Sequence, residues 1–151
     1  DYKGIETCNA ASRIFGAGLA CSYGCLGYGD CKRICPTGAI NMANGLAVIN
    51  STKCISCGKC VKSCPRNLYS IEKFIKDSIV AVACSSRYKG AEVRKVCGVG
   101  CVACKLCEKL SGGVFEVDNN LAVIHYDRAK TDTGWDKTIE KCPTKVIVKI
   151  T

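Results

Sequence analysis

One run of cysteines constrains this chain more than any other feature. Cys54, Cys57 and Cys60 recur at every third position, and Cys64 follows directly before Pro65. In two-cluster iron–sulfur proteins, three thiolates of such a run bind one cluster and the cysteine before the proline binds a neighbouring cluster. A single zinc ion has no use for a third cysteine at this spacing, and disulfide frameworks scatter their cysteines. The run therefore predicts [4Fe–4S] sites in preference to zinc or disulfides.

The composition gives the clusters a structural role. The chain has 15 cysteines among 151 residues, and its other apolar residues are too few for a large core. We expect metal clusters to hold much of the fold together. The longest apolar run, residues 79–84, is far shorter than the ~20 residues that cross a bilayer. No direct membrane span is expected, and the chain begins at Asp1 rather than Met, so any anchor is expected upstream.

A second cysteine followed by proline, Cys35, defines the other half of the first motif. The same register read backwards predicts ligands at positions 25, 28 and 31, but position 28 is Tyr. Cys21, four residues before Cys25, is predicted to supply the missing thiolate, because three glycines allow this loop to bend. The two halves of such ferredoxins exchange their fourth ligands. Cluster I is thus assigned to Cys21, Cys25, Cys31 and Cys64, and cluster II to Cys35, Cys54, Cys57 and Cys60.

The chain contains an internal repeat at an offset of 75 residues. Residues 38–50 match residues 113–125, and both segments alternate apolar residues around a turn, at positions 44–45 and 119–120. The Asn residues in these turns tolerate the left-handed conformation, so both segments predict β-hairpins. The Cys-Pro-Thr sequence also returns, at residues 142–144. A third cluster is therefore assigned to Cys101, Cys104, Cys107 and Cys142.

A fourth cluster is not expected, because its cysteine positions are all empty. The offset aligns the three loop cysteines of cluster II with residues other than cysteine. The position that corresponds to the cysteine of the Cys-Pro pair is not a cysteine either. The four positions are Ser111, Ala129, Asp132 and Trp135. Loss of all four ligands together is expected when one cluster is abandoned. We predict three [4Fe–4S] clusters, with Trp135 filling the vacated volume.

Three cysteines stay outside these sets: Cys8, Cys84 and Cys97. We interpret them as small buried residues. Cys97 can alternatively compete for a place in cluster III, and Cys8 is the alternative fourth ligand of cluster I. A further cluster with only three ligands is another open alternative. A disulfide between Cys84 and Cys97 is disfavoured in a reducing compartment.

The elements predict an α+β fold of tandem bacterial-type two-cluster ferredoxin modules, the second degenerate with one cluster. The predicted parts are an N-terminal segment 1–20, a two-cluster module 21–77, a connecting strand and helix 78–96, and a one-cluster module 97–151. The predicted additional elements are a helix over 9–15, a strand over 78–84, a helix over 89–96 and a strand over 146–150.

The formal charge of +9 does not indicate nucleic-acid binding. Each cluster with four thiolates carries a charge of about −2, so three clusters lower the total to about +3, and no stacking-aromatic pattern is present. Lys59 and Lys62 flank a cluster loop and are predicted to dock a small acidic ferredoxin or flavodoxin. The single histidine, His125, is interpreted as a surface residue. No catalytic acid–base set or nucleotide-binding loop is present, so no catalytic residue is assigned.

Several segments resemble one known family, the B subunit of the Rnf electron-transport complex. They are residues 2–5, 8–11, 21–31, 83–86, 93–97 and 101–107. The most specific is Cys-x3-Cys-Leu-Gly-x-Gly-Asp-Cys, from Cys21 to Cys31. The family's members have an N-terminal membrane helix and a further cluster domain, so this chain resembles their C-terminal polyferredoxin part. It departs from the family's long form in having one cluster in its last module.

The resemblance implies a function. Rnf complexes are membrane-bound, and they exchange electrons between ferredoxin and NAD in a reaction coupled to Na⁺ or H⁺ transport. We therefore expect an electron-carrier subunit that is cytoplasmic, peripheral to the cytoplasmic membrane and bound to the other subunits of a membrane redox complex. An independent soluble polyferredoxin that serves another redox enzyme is the alternative.

Overall fold

The computed structural model describes residues 3–14, 18–73, 79–129 and 135–150. The chain forms two compact units, Asp1–Ile71 and Glu72–Thr151. Each unit contains short helices and one β-hairpin, and long irregular segments connect them.

In the described residues, the first unit contains three α-helices and one hairpin: α1 (Cys8–Ser12), α2 (Asp30–Ile34), β1 (Ile40–Ala43), β2 (Leu46–Ile49) and α3 (Lys59–Ser63). Helix α1 begins after Thr7, whose side-chain oxygen accepts a hydrogen bond from the backbone N–H of Ala10 at 3.1 Å. The helix predicted over 9–15 is confirmed over residues 9–12, while residue 15 lies outside the described residues.

The predicted hairpin of this unit is confirmed. Strands β1 and β2 pair antiparallel, with Ile40 opposite Ile49. The turn residues Asn44 and Gly45 have φ values of 49° and 75°. These left-handed conformations match the right-handed twist of the two strands and explain why Asn and Gly occupy the turn.

Helices α2 and α3 pack against each other and have equivalent ends. Each begins after a left-handed glycine, Gly29 with φ 74° or Gly58 with φ 71°. Each ends at an extended cysteine, Cys35 or Cys64. In both helices the second residue is a cysteine, which is Cys31 in α2. The two cysteine-rich halves predicted from the sequence are therefore alike in backbone structure.

In the described residues, the second unit contains four strands and three α-helices: β3 (Ile79–Val82), α4 (Gly90–Val96), α5 (Leu106–Leu110), β4 (Phe115–Asp118), β5 (Leu121–Ile124), α6 (Trp135–Lys141) and β6 (Ile147–Ile150). Strands β4 and β5 form the second predicted hairpin, with Phe115 opposite Ile124. Asn119 and Asn120 turn it, with φ values of 43° and 63°.

The remaining predicted elements are confirmed with small shifts at their ends. The strand expected over 78–84 covers 79–82, with residue 78 outside the described residues, and the helix expected over 89–96 covers 90–96. The strand expected over 146–150 covers 147–150. The pairing of β3 with β6, Ile79 opposite Ile150, was not predicted. It makes residues 79–82 part of the second unit's core.

That core is apolar and continuous. Phe115 is 1% exposed and packs among Val80, Leu121 and Ile147. Trp135 lies at its edge and contacts Phe115 edge-on, with ring centroids 5.7 Å apart and an interplanar angle of 71°. Within the four described ranges, no helix combines the length and apolar character needed to cross a membrane.

Candidate functional site

Three cysteine loops share one backbone conformation. In each, two left-handed residues flank a single residue, at positions 27 and 29, 56 and 58, and 103 and 105, with φ values between 53° and 81°. Such loops turn successive backbone N–H groups to one side, where they bind anionic groups including iron–sulfur clusters. The enclosed residue is Cys57 or Cys104 in two loops and Tyr28 in the other. Each loop then enters a helix whose second residue is a cysteine.

In the second unit, one such loop and a distant cysteine surround a concavity of about 340 Å³. The four cysteines that line it are Cys101, Cys104, Cys107 and Cys142. The rest of the lining is mostly apolar and includes Val117, Ala122 and Ile147. The structure thus brings together the four residues that the sequence assigned to cluster III.

The remote cysteine of this concavity lies in a cradle of hydrogen-bond donors. Burial favours the neutral thiol of Cys142, but the backbone N–H groups of Ile147, Val146 and Thr144 and the Thr144 hydroxyl outweigh it and lower its pKa. The hydroxyl oxygen lies 3.9 Å from the sulfur. These donors stabilise a thiolate, which is the form that binds iron.

Cys35 in the first unit has the same cradle. Burial again opposes ionisation, but the Thr37 hydroxyl and the backbone N–H groups two, four and five residues further on lower the pKa of the Cys35 thiol. The Thr37 oxygen lies 3.7 Å from its sulfur. The repeated Cys-Pro-Thr sequence therefore builds the same sulfur environment in both units.

The loop cysteines favour a cation among them. Burial, assisted by the neighbouring Cys101 and Cys104, raises the pKa of Cys107 to about 11. Burial and the charges of Cys54 and Cys57 also raise the pKa of Cys60. Three thiolates held this closely repel one another, and iron that replaces their protons removes the repulsion.

The cysteines assigned to cluster II are positioned by helices α2 and α3. Cys54 and Cys57 are exposed in the loop before α3, which carries Cys60. Cys35 caps the C-terminus of α2, the helix that packs against α3. This loop is the most solvent-accessible of the three cysteine loops, since two of its sulfur-bearing residues face water.

A second concavity, of about 360 Å³, lies in the first unit. The cysteines that line it are Cys8, Cys25, Cys31 and Cys64. Three of them belong to the predicted cluster I set. Cys21, also a described residue, is not among its lining residues and is half-buried elsewhere in the loop.

Two side chains at this concavity lie outside the ligand set assigned from the sequence. Cys8 was interpreted as a small buried residue, with a place in cluster I as the alternative, and it is buried in the structure. The spacing from Cys8 to Cys25 returns 76 residues later and links both cysteines to the repeat. Tyr69 also lines the concavity, and its hydroxyl donates a hydrogen bond to the Cys31 sulfur at 3.3 Å. No spacing rule identifies Tyr69. Burial first, and then this hydrogen bond, raise the pKa of Tyr69 well above its usual range, so it stays a donor.

The positions that would correspond to the ligands of a fourth cluster differ in detail from the prediction. Helices α3 and α6 both end directly before a Cys-Pro pair, so the extra residues of the second copy precede Thr138. Thr138 therefore takes the place of Cys60, and Trp135 that of Cys57. Ala129 instead packs beside the core, and position 132 lies outside the described residues. Trp135 and Thr138 carry no thiol at these corrected positions.

Ser111 occupies the place of Cys35 in the second unit. It is buried, and its hydroxyl oxygen accepts a hydrogen bond from the backbone N–H of Phe115 at 2.8 Å. In the first unit, the equivalent strand residue, Ile40, donates to the Cys35 sulfur. The serine thus keeps one hydrogen bond of the cradle without supplying a thiolate. Trp135 contacts Phe115 edge-on nearby, and its filling of the volume of a fourth cluster stays a prediction.

The two concavities have the donor chemistry of cluster sites. Among the described residues, no three Cys, His, Asp or Glu side chains converge as ligands of one metal ion. A [4Fe–4S] cluster needs a different arrangement of ligands, because its four thiolates bind four separate irons and are spread around the whole cluster. Four cysteines around each concavity, together with amide-rich loops, provide that arrangement. The arrangement suits one-electron transfer rather than acid–base chemistry.

Comparison with known proteins agrees with this geometry. Residues 20–65 match the family described as the 4Fe-4S dicluster domain. The fold and the cysteine sites therefore define a ferredoxin-like protein of mixed helix and strand content that binds 4Fe–4S clusters.

The chain is homologous, over nearly its whole length, to part of the B subunit of Rnf-type complexes, which confirms the resemblance found in the sequence. It is 39% identical over 150 residues to the B subunit of the ion-translocating oxidoreductase complex of Methanosarcina acetivorans, covering 97% of this chain and 54% of that protein. It is 36% identical to the B subunit of the Na(+)-translocating ferredoxin:NAD(+) oxidoreductase complex of Acetobacterium woodii, covering 97% and 43%. The proton-translocating counterpart of Clostridium ljungdahlii is 42% identical, covering 99% and 52%. The chain spans about half the length of these relatives.

Proposed function

We propose that this chain carries electrons through three [4Fe–4S] clusters, as the iron–sulfur part of the B subunit in a membrane-associated Rnf-type ferredoxin:NAD oxidoreductase. The observation that carries the proposal is the loop conformation that occurs three times in the described residues, each time leading into a helix with a cysteine at its second position. Each cluster, when bound, supplies a site that accepts and releases one electron. The names of the relatives support the assignment to this type of complex.

The proposed ligands follow the loops and the Cys-Pro cysteines. Cluster II takes Cys35, Cys54, Cys57 and Cys60, and cluster III takes Cys101, Cys104, Cys107 and Cys142. Cluster I takes Cys25, Cys31 and Cys64, together with the fourth ligand for which the sequence favours Cys21. The cradles around Cys35 and Cys142 support their roles, because their N–H groups stabilise thiolates.

The proposed architecture is two ferredoxin modules in tandem, the second with one cluster. The two compact units support this division. The sequence placed residues 78–96 in a connecting segment, but β3 pairs with β6 inside the second unit. We therefore place the start of the second module before β3 rather than at residue 97.

The proposed route for electrons enters or leaves at cluster II. Its loop exposes Cys54 and Cys57, and the side chains of Lys59 and Lys62 are exposed on the adjoining helix. A small acidic ferredoxin or flavodoxin is the partner that this charge favours, since redox contacts are small and guided by electrostatics. The other partners are the remaining subunits of the complex, at the cytoplasmic face of the membrane.

Electron transfer from a reduced low-potential ferredoxin to the anaerobically purified chain tests this function. We expect the visible absorbance of the chain's clusters to bleach on mixing, at a rate that falls with increasing salt. The double variant Lys59→Glu and Lys62→Glu is expected to slow this step about tenfold or more. The matched control, Lys95→Glu with Lys137→Glu, makes the same charge change at exposed lysines of α4 and α6. Absence of bleaching in an iron-loaded protein contradicts the proposal.

A further inference from the structure

We propose that Cys8, at the start of α1, is the fourth thiolate ligand of cluster I, in place of Cys21. The inference rests on the proposed function in taking a cluster at this site as given. It makes α1, which precedes the cysteine loops, part of the metal site.

The loop of cluster I lacks one ligand for a visible reason. Tyr28 lies between the left-handed residues Gly27 and Gly29, which have φ values of 81° and 74°. In the other two loops this enclosed position is Cys57 or Cys104. The backbone has the form of a cluster loop, but its middle residue offers no sulfur. A fourth thiolate has to reach the site from another part of the unit.

The two concavities match in three of their four cysteines. Cys25, Cys31 and Cys64 correspond to the first loop cysteine, the helix cysteine and the Cys-Pro cysteine of the second unit. The fourth lining cysteine is Cys104 in the second unit and Cys8 in the first. Their volumes are also similar, about 360 and 340 Å³. Cys8 therefore takes the part that the loop cysteine has in the complete site.

The repeat separates the roles of Cys8 and Cys21. At an offset of 76, they correspond to Cys84 and Cys97. The sulfur of Cys84 accepts a hydrogen bond from the backbone N–H of Cys101, the first loop ligand, at 3.4 Å. Cys97, a described residue, does not line the second concavity, which has four cysteines without it. Cys84 does not line that concavity either, since Cys104 completes its four cysteines, but its hydrogen bond places the equivalent Cys8 position next to the first loop ligand.

Hydrogen bonds hold helix α1 in a position that places Cys8 at the first concavity. The backbone N–H of Asn9 donates a hydrogen bond to a carboxylate oxygen of Asp30 at 3.0 Å. Asp30 begins α2, lines the same concavity and also pairs with Arg33. Thr7 caps α1 directly before Cys8, which is buried. The sulfur is therefore held at the concavity by the helix that carries Cys31.

The test compares Cys8→Ser with Cys21→Ser in the full chain, purified anaerobically. We expect Cys8→Ser to lose about four iron atoms and the EPR signal of one cluster. Cys21→Ser is expected to keep the full iron content, as is Cys97→Ser, its counterpart in the second unit. Iron loss in Cys21→Ser with retention in Cys8→Ser overturns the inference, and so does full retention in both variants.

A rescue variant separates ligand loss from misfolding. Tyr28→Cys, added to Cys8→Ser, places a thiol at the position that Cys57 and Cys104 occupy in the other loops. We expect it to restore the four lost iron atoms, an effect that a purely structural role of Cys8 does not produce. Failure of the rescue overturns the inference even where Cys8→Ser loses all its iron. A wild-type chain without iron instead contradicts the proposed function itself.

Discussion

The hydroxyl of Tyr69 is directed at a cysteine assigned to cluster I. It donates to the Cys31 sulfur at 3.3 Å, from a partly buried position. Hydrogen bonds to cluster sulfurs stabilise the more negative, reduced state and so raise the reduction potential. We therefore expect Tyr69 to tune the potential of cluster I without being a ligand.

Replacement of this tyrosine gives a prediction at the residue scale. Tyr69→Phe is expected to lower the potential of one cluster by roughly 20–60 mV, where a tenfold change in a one-electron equilibrium is about 59 mV. An EPR-monitored redox titration measures it. Tyr126→Phe is the control, since that hydroxyl donates to the carbonyl oxygen of Val80 at 2.8 Å and not to sulfur. A potential that stays constant in Tyr69→Phe contradicts this role.

Single residues also show where sequence reasoning stopped. Tyr28 showed that one thiolate of the loop is missing, because the spacing rule fixes the position of each loop cysteine. The rule does not say which distant cysteine fills the gap. Proximity along the chain favoured Cys21, whereas the structure lines the concavity with Cys8, which a hydrogen bond to Asp30 brings in from α1.

At the scale of elements, the loop of cluster I packs closely on the turn between β1 and β2. A Cβ atom on Gly27 would lie 2.9 Å from the backbone oxygen of Gly45. Gly27 also has a φ of 81°, which costs a non-glycine residue about 1–2 kcal/mol. Glycine at this position therefore satisfies a conformational and a steric requirement at once.

A pair of glycine substitutions separates these two requirements. Gly38 has a φ of 61°, but a Cβ there meets nothing within 4 Å. Gly38→Ala is expected to cost only about 1–2 kcal/mol, while Gly27→Ala is expected to add roughly 1–3 kcal/mol of overpacking. The rate of iron release from the first unit under a chelator ranks the two variants. Equal rates would show that the contact with Gly45 is unimportant.

The hairpins were predictable from sequence because their contacts are local. Alternating apolar residues and the Asn-Gly or Asn-Asn turns specify each strand and its partner within 13 residues. The pairing of β3 with β6 was not predictable in this way. Its strands lie 65 or more residues apart, and their short apolar runs do not specify a partner. The alignment of α6 with α3 was missed for a related reason, because residues inserted in the second copy change the offset between the two copies of the repeat.

At the scale of the molecule, the two units differ in what holds them. The second has a continuous core around Phe115, with Trp135 and Ile139 packed against it. In the described part of the first unit, the buried apolar residues are few and small apart from Ile40. That unit has two proposed clusters, and the second has one. We therefore expect the first unit to depend more on its clusters for stability.

Removal of iron tests this difference. Chelation under reducing conditions is expected to abolish most of the secondary structure, as in other domains whose folding is coupled to metal binding. Far-UV circular dichroism measures the loss. Limited proteolysis of the same sample is expected to cut residues 18–73 before residues 79–129. Native circular dichroism in iron-free protein contradicts the claim, as does faster cleavage of the second unit.

The most direct test of the account is the number of clusters per chain. Total iron and acid-labile sulfide, measured on the anaerobically purified chain and supported by EPR spin counts after reduction, give this number. Three loops and three cysteine sets predict about twelve iron atoms and about twelve sulfides. A content near sixteen would mean that a fourth cluster forms despite Ser111, Trp135 and Thr138, and a content near eight would mean that one of the three sites does not assemble. Either result contradicts the account.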